Sequence, residues 1–401
     1  MIPYRYSPRT DYFRECAENW SDGRATMGPQ PELPLREEVS IVRTPPVWVA
    51  RVVNGVRAGA LSAVRRVVPA QVAVLEALDG AWFAQMMYAA AELDIAGALS
   101  EGPRTPEQVA RTVGVDADAI HRLLRSLAAH GVFARTDAGR YRNNRMSNTL
   151  RAGVANSTRD MVRFVGHPVL REQWSGIVNV IRTGVDATRT LRGMPSFEHM
   201  DADPELAEVF HAAMASLSAV EVPSVLAAYD FGRFPVIADL GGGRGRLLAA
   251  VLRQAPTSRG VLFDLPGATE GAADYLDAAG VSDRVTLVHG SFLSTADLPE
   301  ANAYLLKHIL HDWDDEESMK ILSAIGEKAP PDATLLLIEM VVPRTPHRHA
   351  SFSLDIEMLV QTGGRERTAE EFRELLWDSG FHLERIVPTA GPTSLLEARL
   401  R

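Results

Sequence analysis

The sequence is poor in cysteine and in lysine. One of its 401 residues is cysteine, Cys16, so no disulfide can form within the chain, and this favours a reducing, cytoplasmic compartment. Three of the 42 basic residues are lysine (Lys307, Lys320 and Lys328), so a lysine inside a motif is unusually informative. No basic segment followed by an apolar run predicts a signal peptide, and no uncharged apolar stretch of about 18 residues predicts a membrane span.

Two common nucleotide-binding signatures are also missing. The chain has no Gly-x-x-x-x-Gly-Lys-[Ser/Thr] segment, which excludes a P-loop. A dinucleotide fingerprint needs Gly-x-Gly-x-x-Gly, but counting from Gly241 puts Arg246 at the third position, and counting from Gly243 puts Leu248 there. A net charge of −9 argues against bulk nucleic-acid binding. The chain is long enough for two domains.

A glycine-rich turn is the most informative stretch that is present. The apolar run Val236–Leu240 predicts a buried parallel strand, and the segment after Gly245 predicts a helix. Between them lies the pattern Asp239-x-Gly241-x-Gly243-x-Gly245. Such a turn lets backbone approach a polar ligand closely. A second predicted strand ends in Asp264, where an acid holds a ribose diol in related folds.

The chain divides into four predicted segments. Residues 1–70 form an N-terminal arm, 71–154 a winged-helix domain, 155–232 a helical segment and 233–401 an α/β domain. Within the arm, residues 41–75 carry five arginines, including Arg43, and no acid, and Val47 to Val68 predict an amphipathic helix. Three interpretations stay open: packing on a partner subunit, resting on an anionic membrane, or disorder.

The winged-helix prediction rests on capping and turn residues. Residues 78–101 are apolar at helical spacing and predict core helices. Thr105 predicts the cap of a helix that ends at Gly114, a second helix runs from Asp116 to His130, and 132–141 predict a hairpin. A winged helix binds DNA in some proteins and mediates dimerisation in others, and the downstream ligand motif favours dimerisation.

The α/β domain alternates predicted strands and helices, which is typical of a doubly wound, Rossmann-like parallel sheet. The strands are predicted at Val236–Leu240, Val261–Asp264, Val285–His289, Ala303–Lys307 and Thr334–Glu339, and the clearest helix at Asp314–Lys328. Phe381–Pro388 and Ser394–Leu400 predict a closing antiparallel pair. The preceding segment, 155–232, is rich in aromatic residues and methionine. Each of these side chains could belong to the core or form a roof over a bound substrate, and the sequence favours neither interpretation.

Four motifs occur in a fixed order: Asp-x-Gly-x-Gly-x-Gly, Phe-Asp-Leu-Pro ending at Pro266, Lys-x-Ile-Leu-His-Asp-Trp ending at Trp313, and Gly-Gly-Arg-Glu-Arg-Thr ending at Thr368. Together they resemble the plant caffeate-type and bacterial small-molecule O-methyltransferases that use S-adenosylmethionine. The resemblance covers about residues 75–401. It implies a winged-helix dimerisation domain, a Rossmann-like methyltransferase domain and a homodimer.

The resemblance also implies roles for individual residues. His311 is expected to be the general base, flanked by Glu339 and Glu366. The expected cofactor-binding residues are Asp239, Gly241, Gly243, Gly245, Asp264, Leu265, Ser291, Phe292 and Lys307, and the expected substrate-facing residues are Met358, Phe164, Trp174 and Met214. No metal is expected, because the acids after the fourth strand lie in a His-Asp-Trp motif.

Two positions depart from the family pattern. Where the family carries an Asp that meets the adenine amine, this chain has Ser291, which offers only a neutral acceptor. Where tryptophan often follows the lysine, this chain has His308, which alters the surroundings of the cofactor's methionine end.

These features predict an enzyme that transfers a methyl group from S-adenosylmethionine to a hydroxyl of a small aromatic or polyketide-like molecule. A neutral imidazole with a pKa of about 6.5 can take the proton of that hydroxyl. Two alternatives remain: a DNA-binding regulator that senses a ligand through a methyltransferase-like domain, and a peripheral membrane methyltransferase of a lipophilic quinone or carotenoid alcohol.

Overall fold

The computed structural model describes residues 44–154, 156–345, 347 and 349–401. Most of the predicted N-terminal arm, with Cys16 and Arg43, lies outside these residues. The described chain begins with α1 (Val47–Val67), α2 (Ala70–Glu92) and α3 (Ile95–Ala98). Helix α1 confirms the helix predicted from Val47, and none of its residues is buried in the single chain.

The prediction of core helices over 78–101 is only half right. The second half of this stretch is buried, including Ala90, Ile95 and Leu99. In the first half of α2, however, Leu78 and Trp82 are 56% and 69% exposed. No other described element of the chain covers these side chains, so an apolar pattern that predicts burial here produces an exposed surface.

The winged-helix arrangement is confirmed. It consists of α4 (Pro106–Val113), α5 (Ala117–Ala129), β1 (Phe133–Arg135) and β2 (Tyr141–Asn143). Thr105 caps α4 in a reciprocal capping box with Gln108, and Gly114 ends the helix with φ +73°. Arg104 pairs with Tyr141 beside the hairpin, which adds a third short strand segment.

The predicted helical segment before the α/β domain is also confirmed. After α6 (Arg145–Asn148), which still belongs to the winged-helix segment, its elements are α7 (Arg159–Val165), α8 (Pro168–Ser175), α9 (Ile177–Thr183), α10 (Ala187–Arg192), α11 (Ser196–Ala202) and α12 (Pro204–Ala228). Among the described residues, α12 is long and apolar enough to cross a membrane on length and composition alone. It carries Glu205, Glu208 and Glu221, so it contains no uncharged stretch of about 18 residues. Its side chains include Val222 and Val225, which pack into the core of the α/β domain, as expected of a core helix.

The α/β domain is a mixed sheet with helices on both faces. Its strands are β3 (Val236–Leu240), β4 (Arg259–Asp264), β5 (Val285–His289), β6 (Ala303–Lys307), β7 (Thr334–Val342), β8 (Arg367–Thr368), β9 (Phe381–Pro388) and β10 (Thr393–Leu400). The order is β5-β4-β3-β6-β7-β10-β9, with β8 paired to the end of β7. The helices are α13 (Arg246–Gln254), α14 (Ala272–Ala278), α15 (Asp315–Lys328), α16 (Ser351–Gln361) and α17 (Ala369–Asp378).

The sheet topology positions the site. Strands β3 to β7 are parallel, and β10 is antiparallel to both neighbours, which confirms the predicted closing pair. The strand order reverses between β3 and β6, so the carboxyl ends of these two strands border a crevice, the usual ligand site of such sheets. Neighbouring residues of β6 alternate between the two core layers: Leu305 packs on the α12 and α13 side, Leu306 on the α15 and α17 side.

Candidate active site

The glycine turn after β3 needs its glycines for two different reasons. Gly241, Gly243 and Gly245 all have positive φ angles, +71°, +53° and +79°. A Cβ on Gly241 would lie 2.5 Å from the Cδ1 atom of Ile309, so packing excludes a side chain there. A Cβ on Gly243 would meet no described atom within 4 Å. Backbone is therefore exposed to a ligand at Gly243.

Two acids, Asp239 on β3 and Asp264 on β4, lie next to this turn. Asp239 is buried at the end of β3, and burial, reinforced by the nearby Asp264, raises the pKa of Asp239 to about 7. Asp264 ends β4, and its carboxylate accepts hydrogen bonds from the N–H groups of Gly243 (2.8 Å) and Leu265 (2.7 Å). Burial raises the pKa of Asp264, while these two donors oppose the shift.

The end of β5 carries the expected adenine-side residues. The N–H of Ser291 donates to Asp297 Oδ2 at 3.3 Å, which brings a carboxylate next to the position where the family has its own acid. Phe292 lies close to Gly241, and its ring meets that of Trp313 edge to face at 6.1 Å. Leu265 is 46% exposed beside Asp264. All three residues are thus on the crevice side of the sheet.

Lys307 ends β6 and lies in a cluster that sequence reasoning missed. Its Nζ atom is 3.1 Å from Glu221 Oε2 and donates to Ser218 Oγ at 3.3 Å. The next residue, His308, lies 2.9 Å from the same Glu221 oxygen through Nε2. Its φ of +54° is an uncommon conformation for a non-glycine residue, and such conformations concentrate at functional sites. An acid within the apolar sequence of α12 was the signal for Glu221.

The predicted base and its two acids come together in the fold. His311 lies on the 3-10 turn Leu310–Asp312 after β6, and its Nδ1 is 2.8 Å from Glu366 Oε1 and 3.9 Å from Glu339 Oε2. Glu339, on β7, is fully buried and accepts the N–H groups of Ile309 and Leu310 through Oε1. In the neutral ring with Nδ1–H donating to Glu366, Nε2 of His311 carries the lone pair that can act as a base.

The acids change the protonation of this histidine. Burial alone lowers the pKa of His311, but Asp312, Glu339 and Glu366 outweigh it and raise that pKa to about 10. Burial also raises the pKa of Asp312, to about 6, and that of Glu339. The expectation of an ordinary imidazole pKa near 6.5 is therefore wrong, because three carboxyl groups surround a ring that the sequence places beside only one.

The segment Gly363–Thr368 holds this turn in place. A Cβ on Gly364 would lie 2.1 Å from the carbonyl oxygen of His311, so only glycine allows the approach. The N–H of Arg365 donates to that same oxygen at 2.8 Å. The buried Arg367 donates to the carbonyl oxygens of Leu310 (2.7 Å) and Trp313 (3.0 Å). The last motif thus supplies an acid for His311 and fixes the backbone that carries it.

Aromatic rings extend from this turn into the helical segment. Trp313 stacks on Phe197 with ring centres 6.0 Å apart, Phe197 meets Phe210, and Phe210 meets Phe164 at 5.4 Å. The predicted substrate residue Phe164 is therefore joined to the catalytic turn through intervening rings. This chain of contacts supports the roof interpretation for Phe164, while core packing remains open for its neighbours.

The other predicted substrate residues lie on α8, α12 and α16. The Nε1–H of Trp174 donates to Glu357 of α16, one residue before Met358. Met358 is 9% exposed, in a helix that contacts the 3-10 turn of His311. Met214 is half-buried on α12, two turns before Glu221.

Three side chains in this cluster have a spacing that a metal ion could use. Ligand atoms of His308, His311 and Glu339 lie within 4.8 Å of one another. However, Nδ1 of His311 is already engaged by Glu366, and Nε2 of His308 by Glu221. A metal at this cluster would have to compete with the His311–Glu366 hydrogen bond, so the geometry favours an acid–histidine pair.

Comparison with known proteins shows the family of this chain. Residues 174–382 match the model of the O-methyltransferase domain and residues 75–153 that of the O-methyltransferase dimerisation domain. The chain is 36% identical to a phenazine O-methyltransferase of Lysobacter antibioticus over 83% of this chain and 97% of the relative. It is 37% identical to a mitomycin biosynthesis 6-O-methyltransferase of Streptomyces lavendulae over 82% and 95%.

A solved structure shows the same fold with ligands. An O-methyltransferase from neocarzinostatin biosynthesis, in complex with S-adenosylmethionine and 2-hydroxy-5-methyl naphthoic acid, superposes with a TM-score of 0.69 at 30% identity. The match covers 80% of this chain and 96% of the other. This chain belongs to the family of S-adenosylmethionine-dependent O-methyltransferases and carries the family's N-terminal dimerisation domain.

Proposed function

We propose that the enzyme methylates a hydroxyl group of a small aromatic or polyketide-like molecule and that His311 is its general base. The observation that carries this proposal is the buried contact of His311 Nδ1 with Glu366, 2.8 Å long, which leaves Nε2 free. Glu339 supports the same ring from the other side at 3.9 Å. An imidazole oriented by carboxylates is a common device for removing a proton from an attacking oxygen.

Residues around the glycine turn are proposed to hold the cofactor. The open space at Gly243, the left-handed backbone at Gly241 and Gly245, and the carboxylate of Asp264 suit a nucleoside with a ribose diol. Asp239, Leu265, Ser291, Phe292 and Lys307 complete the proposed set. Bound S-adenosylmethionine supplies an electrophilic methyl group on its sulfonium sulfur.

Positioning and proton removal are the contributions of this chain. The aromatic side chains hold the acceptor so that its oxygen faces the methyl group, and such positioning lowers the barrier substantially. His311 then takes the proton of the hydroxyl as the new bond forms, which is typically worth about 10²- to 10⁴-fold in rate. The surrounding carboxylates raise the pKa of His311, so its neutral form is a stronger base than a free imidazole, and it takes the proton at pH values where the ring is unprotonated.

The acceptor pocket is proposed to be formed by Phe164, Trp174, Met214 and Met358. Aromatic rings and methionines accommodate flat apolar molecules with few directional demands. The names of a phenazine and a mitomycin enzyme among the relatives, and the naphthoic acid in the related structure, support an aromatic acceptor.

The assembly and compartment are part of the same proposal. We infer a homodimer formed through residues 71–154, with 155–232 as the roof and 233–401 as the cofactor domain, in the cytoplasm. The exposed apolar side chains of α2 support dimer formation. The regulator alternative is not proposed, because His311, Glu339 and Glu366 form a complete acid–base group.

A matched acceptor series tests the reaction. Fused-ring phenols are incubated with S-adenosylmethionine beside the corresponding amines and O-methyl ethers, and products are identified by mass spectrometry and NMR. Single methylation of the hydroxyl, absent with the ether, is expected. Methylation of the amine alone, or of ring carbon, would contradict the proposal.

A further inference from the structure

Glu221 is a buried acid with one oxygen left unpaired. It lies in the apolar helix α12 and is 3% exposed. Its Oε2 atom contacts both Lys307 Nζ (3.1 Å) and His308 Nε2 (2.9 Å). Its Oε1 atom is buried and has no hydrogen-bond partner among the described residues. A buried polar atom without a partner is costly, so this oxygen is available to accept from a water molecule or from a ligand's donor group.

The carboxyl group stays ionised under all ordinary conditions. Burial raises the pKa of Glu221, but the charges and hydrogen bonds of His308 and Lys307 outweigh burial and lower it to about 2. Burial, helped by the charge of Lys307, lowers the pKa of His308, and Lys307 and Glu221 form the ion pair of this cluster. A ligand group that bears both signs can enter such a neutral pair without leaving a net buried charge.

The strand order indicates which part of the cofactor meets this pair. Ser291 follows β5, Asp264 ends β4, Gly241 follows β3 and Lys307 ends β6, in that order along the edge of the sheet. With adenine at Ser291 and ribose at Asp264, the methionine part extends past the glycine turn toward Lys307. That part carries an α-ammonium and an α-carboxylate group.

We propose that Glu221 binds the α-ammonium group of S-adenosylmethionine through Oε1, while Lys307 and Ser218 bind its α-carboxylate group. This inference rests on the cofactor placement proposed above. It also assigns a role to His308, the residue that departs from the family pattern. The Nε2–H group of His308 donates to the Glu221 carboxylate and orients it. A tryptophan at this position would place its indole N–H differently. Glu221 is thus a cofactor-binding residue that selects the intact amino-acid end.

Calorimetry with three ligands tests the assignment. S-adenosylhomocysteine carries both charged groups, its deaminated analogue lacks only the ammonium, and 5′-methylthioadenosine lacks the whole amino-acid end. Glu221→Gln should weaken S-adenosylhomocysteine binding about 10- to 100-fold, the usual worth of a charge-assisted hydrogen bond. Its affinities for the other two ligands should stay within about twofold of wild type. The control Glu205→Gln removes an exposed acid from the same helix and should change none of the three.

Several results would overturn the assignment. One is unchanged S-adenosylhomocysteine binding in Glu221→Gln; another is an equal loss with the deaminated analogue, which would mean that Glu221 acts only through Lys307. Wild-type protein alone provides a test that does not depend on the variant's folding, because equal affinity for S-adenosylhomocysteine and its deaminated analogue also contradicts the proposal. The cofactor placement is tested separately: if Asp264→Asn leaves 5′-methylthioadenosine binding unchanged, the placement itself is wrong and the assignment falls with it.

Discussion

Glu366→Gln should shift the pH dependence of catalysis toward lower pH. The carboxylate of Glu366 lies 2.8 Å from Nδ1 of His311, and both side chains are buried. Glutamine keeps the size and an acceptor oxygen but removes the negative charge. The hydrogen bond therefore persists, while the electrostatic preference for the imidazolium form decreases.

The size of this shift follows from the change in hydrogen-bond type. Bonds to charged groups contribute about 1.5–3 kcal/mol and neutral ones about 0.5–1.5 kcal/mol, so the loss is about 1–1.5 kcal/mol, or about one pKa unit. The carboxylates raise the pKa of His311 to about 10, and removing one lowers it. The base is then unprotonated over a wider pH range, and the acid limb of the profile moves down by about one unit. On the alkaline plateau turnover should fall, because the weaker base accepts the proton less readily.

The assay is the pH profile of kcat/KM with one phenol acceptor for both proteins. Ionisation of the acceptor is common to both profiles, so their displacement reports the change at His311. Glu370→Gln removes an exposed carboxylate four residues away and should leave the limb in place. An acid limb that does not move in Glu366→Gln, or that moves to higher pH, would refute the assignment of this limb to His311.

Four other outcomes are expected. Gly243→Val should lower the affinity for S-adenosylhomocysteine by at least about tenfold in calorimetry, because it adds a side chain at φ +53° in the open approach; wild-type affinity would remove the cofactor from this turn. Sedimentation equilibrium should give twice the chain mass of 43.8 kDa, whereas a mass near one chain would exclude the dimer. The pKa of Asp239 is about 7 in the folded protein and about 4 in the unfolded chain. The protonated carboxyl group therefore stabilises the fold fully below about pH 4, and this contribution is lost as the pH rises through about 7. Asp239→Asn should therefore flatten the decline of Tm between about pH 4 and 7, and a decline as steep as wild type would contradict the protonated state. EDTA should leave activity unchanged, and a loss reversed by a divalent cation would instead indicate a metal at His308, His311 and Glu339.

Local patterns were enough to predict most elements and the proximity of His311, Glu339 and Glu366. The predicted strands at Val236–Leu240, Val285–His289 and Ala303–Lys307 agree with the structure at both ends. Buried parallel strands are short apolar runs between turns, so their limits are marked in the sequence. The ordered motifs likewise placed His311, Glu339 and Glu366 correctly in one cluster, because strand ends of a parallel sheet meet at one edge.

What sequence reasoning missed depends on contacts between distant segments. Glu221 meets Lys307 across 86 positions of the chain, and nothing local to either residue predicts that contact. The raised pKa of His311 likewise depends on Asp312, Glu339 and Glu366 surrounding one ring. Trp82 is exposed because no described part of this chain covers the first half of α2. An apolar repeat predicts that a helix face is covered, but not whether the chain's own core or a partner covers it.

The most direct test of the central claim is the turnover of His311→Ala with phenols of graded pKa. The account predicts near-normal binding of S-adenosylhomocysteine, since the proposed cofactor contacts lie elsewhere, and a loss of turnover of about 10²- to 10⁴-fold with an acceptor of pKa near 10. The loss should shrink steadily for more acidic phenols, which ionise without help. Near-wild-type turnover of His311→Ala with the high-pKa phenol, measured above the acid limb of the wild-type pH profile, would show that catalysis is positional and that His311 is not the base.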